Sequence, residues 1–176
     1  TSRRSAGHGR LYKTVTGSKY RTVPDLGLEL ADGALHLRRC EVSLIDRFES
    51  PVRLGMSLMV EGEGSWEIRL GGIVLLWLQE RRRLAFRREE DGHLETFRDY
   101  VDLSQPTECW LEVADGRVKF SVGRKKKGEL EFEVGPEGVG LEFVVEQPIV
   151  RIAALCSDRR AIDVSAEVNQ EIAQRR

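Results

Sequence analysis

CWLEVADGRVKFSVG, residues 109–123, consists of two alternating apolar and polar runs joined by an Asp-Gly pair. Alternation with a period of two places successive side chains on opposite faces of a β-strand. Asp-Gly between two such runs is typical of a β-hairpin, because both residues tolerate the positive φ angle of a tight turn. In the first strand Leu111 and Val113 belong to the predicted buried face. Trp110 and Glu112 belong to the opposite face.

The same alternation of apolar and polar residues extends in both directions from this hairpin. From residue 25 to residue 160, short alternating runs recur with turn signals roughly every 8–12 residues, which is typical of an antiparallel sandwich or barrel. One run, Ile73–Leu78, is apolar throughout and suits a strand that is covered on both faces. Trp66 and Trp77 are expected in the core. The sequence therefore predicts an all-β, antiparallel β-sandwich over residues 25–160.

The two ends of the chain differ from this pattern. Residues 1–24 contain basic side chains and no carboxylate, and we expect a basic N-terminal tail. In residues 161–176, Ser165 is suited to an N-cap, while Val168 and Ile172 lie four positions apart on one helical face. Acidic residues at its start and arginines at its end suit the helix dipole. This segment is predicted to be a short C-terminal helix or a linker.

Composition limits the classes of function. The chain has 176 residues and a net charge of −1, with 40% hydrophobic and 32% charged residues, which describes one globular domain. Nucleic-acid binding is not expected, because the charge is balanced and no basic groove lined by aromatic residues is evident. The longest apolar run is six residues, against the roughly 20 that a membrane-spanning helix needs. Because the first residue is Thr1 rather than Met, we expect a processed or excised unit of a larger protein.

No metal or cofactor site is expected. The three cysteines are widely spaced and form no C-x-x-C pair, so we interpret them as separate buried thiols, with one disulfide plus a free thiol as the alternative. No two of the three histidines have the spacing of metal ligands. Asp99 and Asp102 form a close pair in a loop-like stretch. The chain has a single asparagine, however, so a calcium site is not favoured either.

Three stretches resemble the concanavalin A-like, laminin-G-like jelly rolls. In that superfamily a tryptophan opens one strand of a hairpin with a D-G turn, as in residues 109–123. Its closing strands contain a G-x-G-L strand followed by a strand of the type v-R-i, similar to Gly138–Phe143 and Pro148–Ile152. The resemblance implies a jelly-roll sandwich. Lectins, glycosidases and plain interaction modules all share this fold, so the resemblance leaves the function open.

We favour a non-catalytic recognition or assembly module of a larger protein that binds a protein or glycan partner. Trp110 and Glu112 are its candidate ligand-binding residues, because an aromatic ring beside a carboxylate offers stacking together with a hydrogen-bond acceptor. The competing interpretation is that loop 98–108 covers Trp110 and that the residue is purely structural. Self-association through the edges of the sheets is a further alternative.

The alternative function is a glycoside-processing enzyme. Glycosidases of the resembling fold carry an E-x-D-x-E type strand, and Glu129, Glu131 and Glu133 have its spacing. Residues two apart on a strand are separated by about 6.6–6.8 Å, which does not exclude catalysis by two carboxylates. A glutamate at the central position, in place of aspartate, and the lysines immediately before the strand favour a solvated strand face instead.

Overall fold

The computed structural model describes the backbone of residues 8–14, 21–23, 28–31, 34–44, 47–158, 160–161 and 163–169, with side chains described in 34–44 and 47–158. These residues form two antiparallel sheets, and no helix occurs among them. The strands, numbered along the chain, are β1 (His8–Thr14), β2 (Arg21–Val23), β3 (Leu28–Ala31), β4 (Ala34–Leu37), β5 (Cys40–Leu44), β6 (Val52–Glu61), β7 (Trp66–Arg69), β8 (Ile73–Leu78), β9 (Arg83–Arg88), β10 (Leu94–Thr96), β11 (Thr107–Ala114), β12 (Arg117–Val122), β13 (Lys125–Glu131), β14 (Glu142–Val145), β15 (Ile149–Ser157), β16 (Arg160–Ala161) and β17 (Asp163–Asn169).

The strands divide between two sheets that pack face to face. Sheet A has the spatial order β1-β17-β5-β14-β7-β8-β9-β10, and sheet B has the order β13-β12-β11-β6-β15-β4-β3-β2, with β16 beside β15. Chain neighbours such as β7, β8, β9 and β10 pair in sequence, whereas β14 and β15 return from the C-terminal half to the middle of each sheet. The predicted antiparallel β-sandwich is confirmed.

The core lies between the sheets and follows the alternation of the strands. In β11 the burial pattern alternates residue by residue, and Leu111 lies directly opposite Leu54 of β6. Both leucines are buried, and burial of a leucine side chain contributes about 1.5–3 kcal/mol. The predicted hairpin is present, with Asp115 and Gly116 both at positive φ in the turn between β11 and β12.

The predicted C-terminal helix is wrong for residues 163–169, which form β17. This strand pairs with β1 on one side and with β5 on the other. Val164, Ala166 and Val168 alternate with polar residues, and this period of two is the pattern of a strand. β1 pairs with the whole segment and β5 with Ala166, Glu167 and Val168, and this backbone pairing outweighs a weak capping signal. Residues 170–176, which complete the predicted helix, lie outside the described residues.

Two strands also lie inside the segment predicted as a basic tail. Residues 8–14 form β1 and residues 21–23 form β2, so the tail prediction is wrong for these residues. β1 pairs along its whole length with β17, from His8 opposite Asn169 to Thr14 opposite Asp163. Without β1, β17 would be the edge strand of sheet A and would leave a row of backbone N–H and C=O groups unpaired. β1 pairs with these groups.

The arginine-rich β9–β10 hairpin balances its own charge. Arg87 Nε lies 3.1 Å from Glu89 Oε2, and Arg88 Nη2 lies 2.9 Å from Asp91 Oδ2. Asp91 also accepts the backbone N–H of His93 at 3.1 Å. The acidic residues that follow Arg87 and Arg88 therefore neutralise these two arginines locally.

We expect Asp91 to titrate at unusually low pH. Its hydrogen bond with Arg88, followed by that from the His93 backbone, lowers its pKa to about 2. Because the folded pKa lies below the unfolded value, the pair stabilises the fold fully above about pH 4 and loses that contribution as the pH falls toward 2. Carboxyl chemical shifts measured by NMR should give a midpoint near 2 in the native chain. The midpoint should move upward in Arg88→Gln, and a native midpoint near the ordinary aspartate value would contradict the assignment.

Candidate binding site

The structure places Trp110 and Glu112 on the outer face of sheet B, as their alternation with buried neighbours predicts. Both side chains are half-buried. Glu112 lies opposite Arg53 of β6 on one side and opposite Lys119 of β12 on the other. The site predicted from the sequence is therefore a carboxylate flanked by two basic positions with an indole beside it.

The indole of Trp110 is held by its neighbours in β6 and β11. Its N–H donates to Glu108 Oε2 at 2.7 Å, and the guanidinium of Arg53 stacks 3.9 Å from the ring centroid. The ring also occupies the space above Gly55, where an added Cβ would lie 2.5 Å from it. All three residues lie in strands, and Glu108 is also the last residue of the segment 98–108 that is expected to cover the ring. A ligand that stacks on the Arg53 side of the ring has to displace this guanidinium.

The strand with Glu129 and Glu131 is an edge strand whose carboxylates are engaged by cations. Arg117 contacts both, with Nη1 3.2 Å from Glu129 Oε2 and Nη2 3.6 Å from Glu131 Oε1. Lys126 also bonds to Glu129, and this bond is the main cause of the lowered pKa of Glu129. The third residue, Glu133, follows the strand and lies against Gly116. An acid catalyst for glycoside hydrolysis needs a raised pKa, which is the opposite of the pKa shift of Glu129.

The residues considered for metal binding lie apart. Asp99 Oδ2 lies 4.0 Å from Lys127 Nζ, whereas Asp102 bonds to Ser104. Across the described residues, no group of three or more His, Cys, Asp or Glu side chains has an arrangement that could hold a metal ion. None of the three cysteines forms a disulfide, and burial raises the pKa of both Cys40 and Cys109 to about 12. These two thiols are therefore protonated and unreactive at neutral pH.

A cavity of about 270 Å³ opens at one end of the sandwich, and we call it the end pocket. It lies between the β6–β7 turn, the β8–β9 turn and the loop that leads from β10 to β11. Its lining residues are Val60, Gly62, Glu63, Gly64, Trp66, Trp77, Gln79, Arg82, Tyr100, Val101, Asp102, Leu103 and Ser104.

The end pocket combines aromatic surface with apolar side chains. Trp66, Val101 and Leu103 are buried, whereas Trp77 at the end of β8 is half-buried. Tyr100 is 48% exposed, and among the described residues the only other exposed large hydrophobic side chain is Leu94. A large exposed aromatic ring at a cavity provides a surface for a ligand with an apolar face.

One carboxamide orders the polar side of the end pocket. Gln79 Oε1 accepts the indole N–H of Trp77 at 2.9 Å and the backbone N–H of Gly64 at 3.1 Å. Its Nε2 then points to Glu63 and donates to Oε1 at 3.1 Å. The Gln79 side chain is thereby oriented by two elements and fixes the direction of the Glu63 carboxylate.

A second carboxylate is fixed from the opposite side of the end pocket. Asp102 Oδ1 accepts the backbone N–H of Ser104 at 2.9 Å and its hydroxyl at 2.7 Å. These hydrogen bonds lower the pKa of Asp102, so it is ionised at neutral pH. The cavity therefore offers two oriented acceptor groups beside aromatic rings, a combination that suits a ligand with apolar faces and hydroxyl edges.

The sequence pattern did not identify this site. The pattern places Trp77 in the core, because Trp77 lies within a fully apolar run, and it suggests for Asp102 only the role of a calcium ligand. One local feature of the sequence points to the site: Trp77 is the last aromatic residue before a turn, and the polar Gln79 follows two positions later. Which three turns meet at one end of a sandwich is set by long-range pairing and is not visible in the sequence.

The outer face of sheet A is covered by its own charged side chains. Glu67 bonds to Arg69 at 3.1 Å and to Arg87 at 3.4 Å. Val74 lies directly between these two arginines in register and has no exposed surface. The aliphatic stems of the arginines are positioned to cover it, while their charges pair with Glu67. A cavity of about 350 Å³ is lined by Ser65, Trp66, Glu67, Leu76, Trp77, Arg87, Val144 and Glu146. Its Glu67 and Arg87 side chains are paired with each other.

We expect Gly55 and Trp110 to be energetically coupled. Gly55→Ala places a Cβ 2.5 Å from the indole, so the ring has to leave its contacts with Glu108 and Arg53. The change should lower the free energy of unfolding by about 1–3 kcal/mol in the native chain and by much less in the Trp110→Ala background. Urea unfolding of both single variants and the double variant measures the coupling.

Gly135→Ala is the matched control, because nothing lies within 4 Å of a Cβ added there. It should change the stability by less than about 0.5 kcal/mol. If Gly55→Ala lowers the free energy of unfolding equally in the native chain and in the Trp110→Ala background, the indole does not contact this glycine.

Within the described residues, no helix has the length and apolar character needed to cross a membrane.

Comparison with known proteins supports the fold. No protein-family model and no curated protein sequence matches the chain. Among solved structures, chicken galectin 2 aligns with a TM-score of 0.55 at 8% identity, over 66% of this chain and 97% of that chain. The carbohydrate binding module CBM66 from Bacillus subtilis gives a TM-score of 0.51 at 12% identity, over 88% and 96% of the two chains. A prokaryotic β-1,3-1,4-glucanase (lichenase) derived from a mouse hindgut metagenome gives 0.53 at 9% identity, over 92% and 99%.

Identities this low establish the fold alone. The shared fold confirms the jelly-roll sandwich that the resemblance of residues 109–123 implies. The chain has the jelly-roll β-sandwich fold of these structures.

Proposed function

We propose that this chain is a non-catalytic recognition module of a larger protein and that it binds a glycan in the end pocket. The observation that carries the proposal is the combination of Trp77 and Tyr100 with the oriented carboxylates of Glu63 and Asp102 around one cavity. A sugar ring has apolar C–H faces that stack on aromatic rings and hydroxyl edges that donate to carboxylates. The cavity volume of about 270 Å³ suits one or two sugar residues, near the lower bound of about 300 Å³ for small-molecule pockets.

The neighbouring folds support a carbohydrate ligand over a protein partner. One of them is a carbohydrate binding module and another is a glucanase, which are proteins with carbohydrate ligands or substrates. A broad exposed apolar patch would favour a protein-docking surface, whereas the large exposed hydrophobic side chains among the described residues are Leu94 and Tyr100. A protein partner and self-association are therefore outcomes of the test rather than the proposal.

The chemistry of the carboxylates supports binding over hydrolysis. The pKa values of Glu129 and Asp102 are both lowered, so neither retains the proton that a general acid donates. Arg117 also bonds to Glu129 and Glu131, and neither glutamate lines the end pocket. A glycoside-processing enzyme that uses Glu129, Glu131 and Glu133 is the alternative, and the lichenase of similar fold keeps it worth testing.

The surface around Trp110 and Glu112 is the second candidate location for the ligand. Its indole and carboxylate lie on one face, and Arg53 adds a cation beside them. We rank it below the end pocket because the indole N–H and the Arg53 side of the ring already have protein partners.

We expect Tyr100→Ala to weaken glycan binding without unfolding the chain. Tyr100 is 48% exposed, so its truncation should leave the melting temperature within a few degrees of the native value. Affinity for the best ligand in a panel of neutral mono- and oligosaccharides should fall about tenfold, which corresponds to 1.4 kcal/mol. Isothermal titration calorimetry on the full chain measures both the affinity and the stoichiometry.

Leu94→Ala is the matched control, because Leu94 is 38% exposed and does not line the end pocket. It should leave the affinity unchanged. Loss of binding in Trp110→Ala but not in Tyr100→Ala would move the site to sheet B. Release of reducing sugar that disappears in Glu131→Gln would replace the proposal with the enzymatic alternative, and absence of binding to every glycan in the panel would contradict it.

A further inference from the structure

We propose that the end pocket selects an uncharged sugar residue and discriminates against sugars that carry a carboxylate or a sulfate. This inference rests on the proposed function, and it adds the chemical class of the ligand to it. It follows from three features of the cavity: its net charge, the engagement of its nearest cations, and the kind of hydrogen-bonding groups it leaves for a ligand.

The charged residues that line the end pocket are Glu63, Arg82 and Asp102. Two carboxylates and one guanidinium leave this lining with a net charge of −1. Asp102 holds its charge firmly, because the hydrogen bonds from Ser104 lower its pKa. An anionic ligand therefore enters against a net negative charge, and this repulsion is moderate because the Glu63 and Asp102 side chains are exposed and screened by salt.

The cations nearest to the cavity are already engaged by protein groups. Arg82 Nη1 lies 3.9 Å from Glu63 Oε1. Arg83 donates to the Arg82 carbonyl at 3.1 Å, and its guanidinium lies 5.7 Å from the centroid of the Tyr100 ring. Arg81 donates to the hydroxyl of Thr96 at 3.3 Å. None of these contacts is the fork-to-fork arrangement by which an arginine recognises a ligand carboxylate or sulfate.

The carboxylates of the pocket present acceptors, which require donors on the ligand. Gln79 uses Glu63 Oε1, and Ser104 uses Asp102 Oδ1, so the second oxygen of each carboxylate is the one that faces no described hydrogen-bond donor. Sugar hydroxyls are donors and satisfy these oxygens. A ligand carboxylate or sulfate presents only acceptors, and burying it against other acceptors leaves both sides unpaired.

Calorimetry on the full chain tests the selectivity with a pair of matched ligands. The first is the tightest neutral oligosaccharide from the panel, and the second has the same linkages with a uronic acid as its terminal residue. We expect the acidic ligand to bind at least tenfold more weakly. The ratio of the affinity for the neutral ligand to that for the acidic ligand should decrease when salt is raised from about 20 mM to about 500 mM, because added salt screens the repulsion.

Asp102→Asn identifies the group responsible. Asparagine keeps an oxygen that accepts from Ser104 but removes the negative charge, so the ratio of affinities should fall at least threefold. Glu137→Gln is the matched control, because Glu137 is exposed and does not line the end pocket, and it should leave the ratio unchanged. Arg82→Gln should leave the preference for the neutral ligand in place.

The outcomes separate the two proposals. If the neutral ligand binds and the acidic one binds equally well or more tightly, the glycan-binding function stands and the charge selection is wrong. If Asp102→Asn leaves the ratio unchanged while Tyr100→Ala weakens binding, the pocket is correct and Asp102 is not the selecting group, which overturns the inference. If neither ligand binds, the proposed function fails and the selectivity fails with it.

Discussion

The register between β6 and its two neighbours is the constraint on which the rest of the structure depends. β6 pairs with β11 on one side and with β15 on the other, so that Leu54 lies opposite Leu111 and Leu58 lies opposite Ile152. All four side chains are buried. A slip of one residue in either pairing would turn every apolar side chain of a strand toward solvent, so the buried face locks the register. Once it is locked, the turns at the ends of the sandwich have fixed positions, and the end pocket is assembled from them.

Part of the outer face of each sheet is occupied by contacts within the protein. On sheet A, Glu67 joins two arginines above Val74, and the apolar surface between them is covered. On sheet B, Arg53 and Glu108 hold the indole of Trp110. Side chains that already satisfy one another have less to offer a ligand, because binding has to break those contacts before it makes new ones. This is the physical reason for placing the candidate site at the end of the sandwich.

Much of the fold could be predicted from the sequence, because alternation reports directly on burial. The hairpin over residues 109–123 and the sandwich architecture follow from period-two patterns and turn dipeptides, which are local signals. The C-terminal segment could not be predicted correctly, since Ser165 and Glu167 resemble a helix start while the alternation around them is that of a strand. Pairing with β5 and β1 decided between the two, and those partners lie far away in the sequence. Local helix signals are overridden where long-range strand pairing provides more backbone hydrogen bonds than a helix would.

The candidate site was harder to predict for the same reason. Trp110 was recognised as an outward-facing residue because parity along one strand decides it, and parity is local. Whether an outward-facing ring is accessible to a ligand cannot be read from its own strand, because it depends on the residues of the neighbouring strand. Here Gly55 leaves space for the ring, and Arg53 stacks on it. Trp77 presents the converse case. Its parity with Ile73 and Leu75 directs it inward, and at this end of the sandwich the half-buried ring packs against the core and also lines a cavity. A residue near the end of a strand therefore has to be judged by the turns that surround it, and in this chain those turns supply both the aromatic and the carboxylate groups of the pocket.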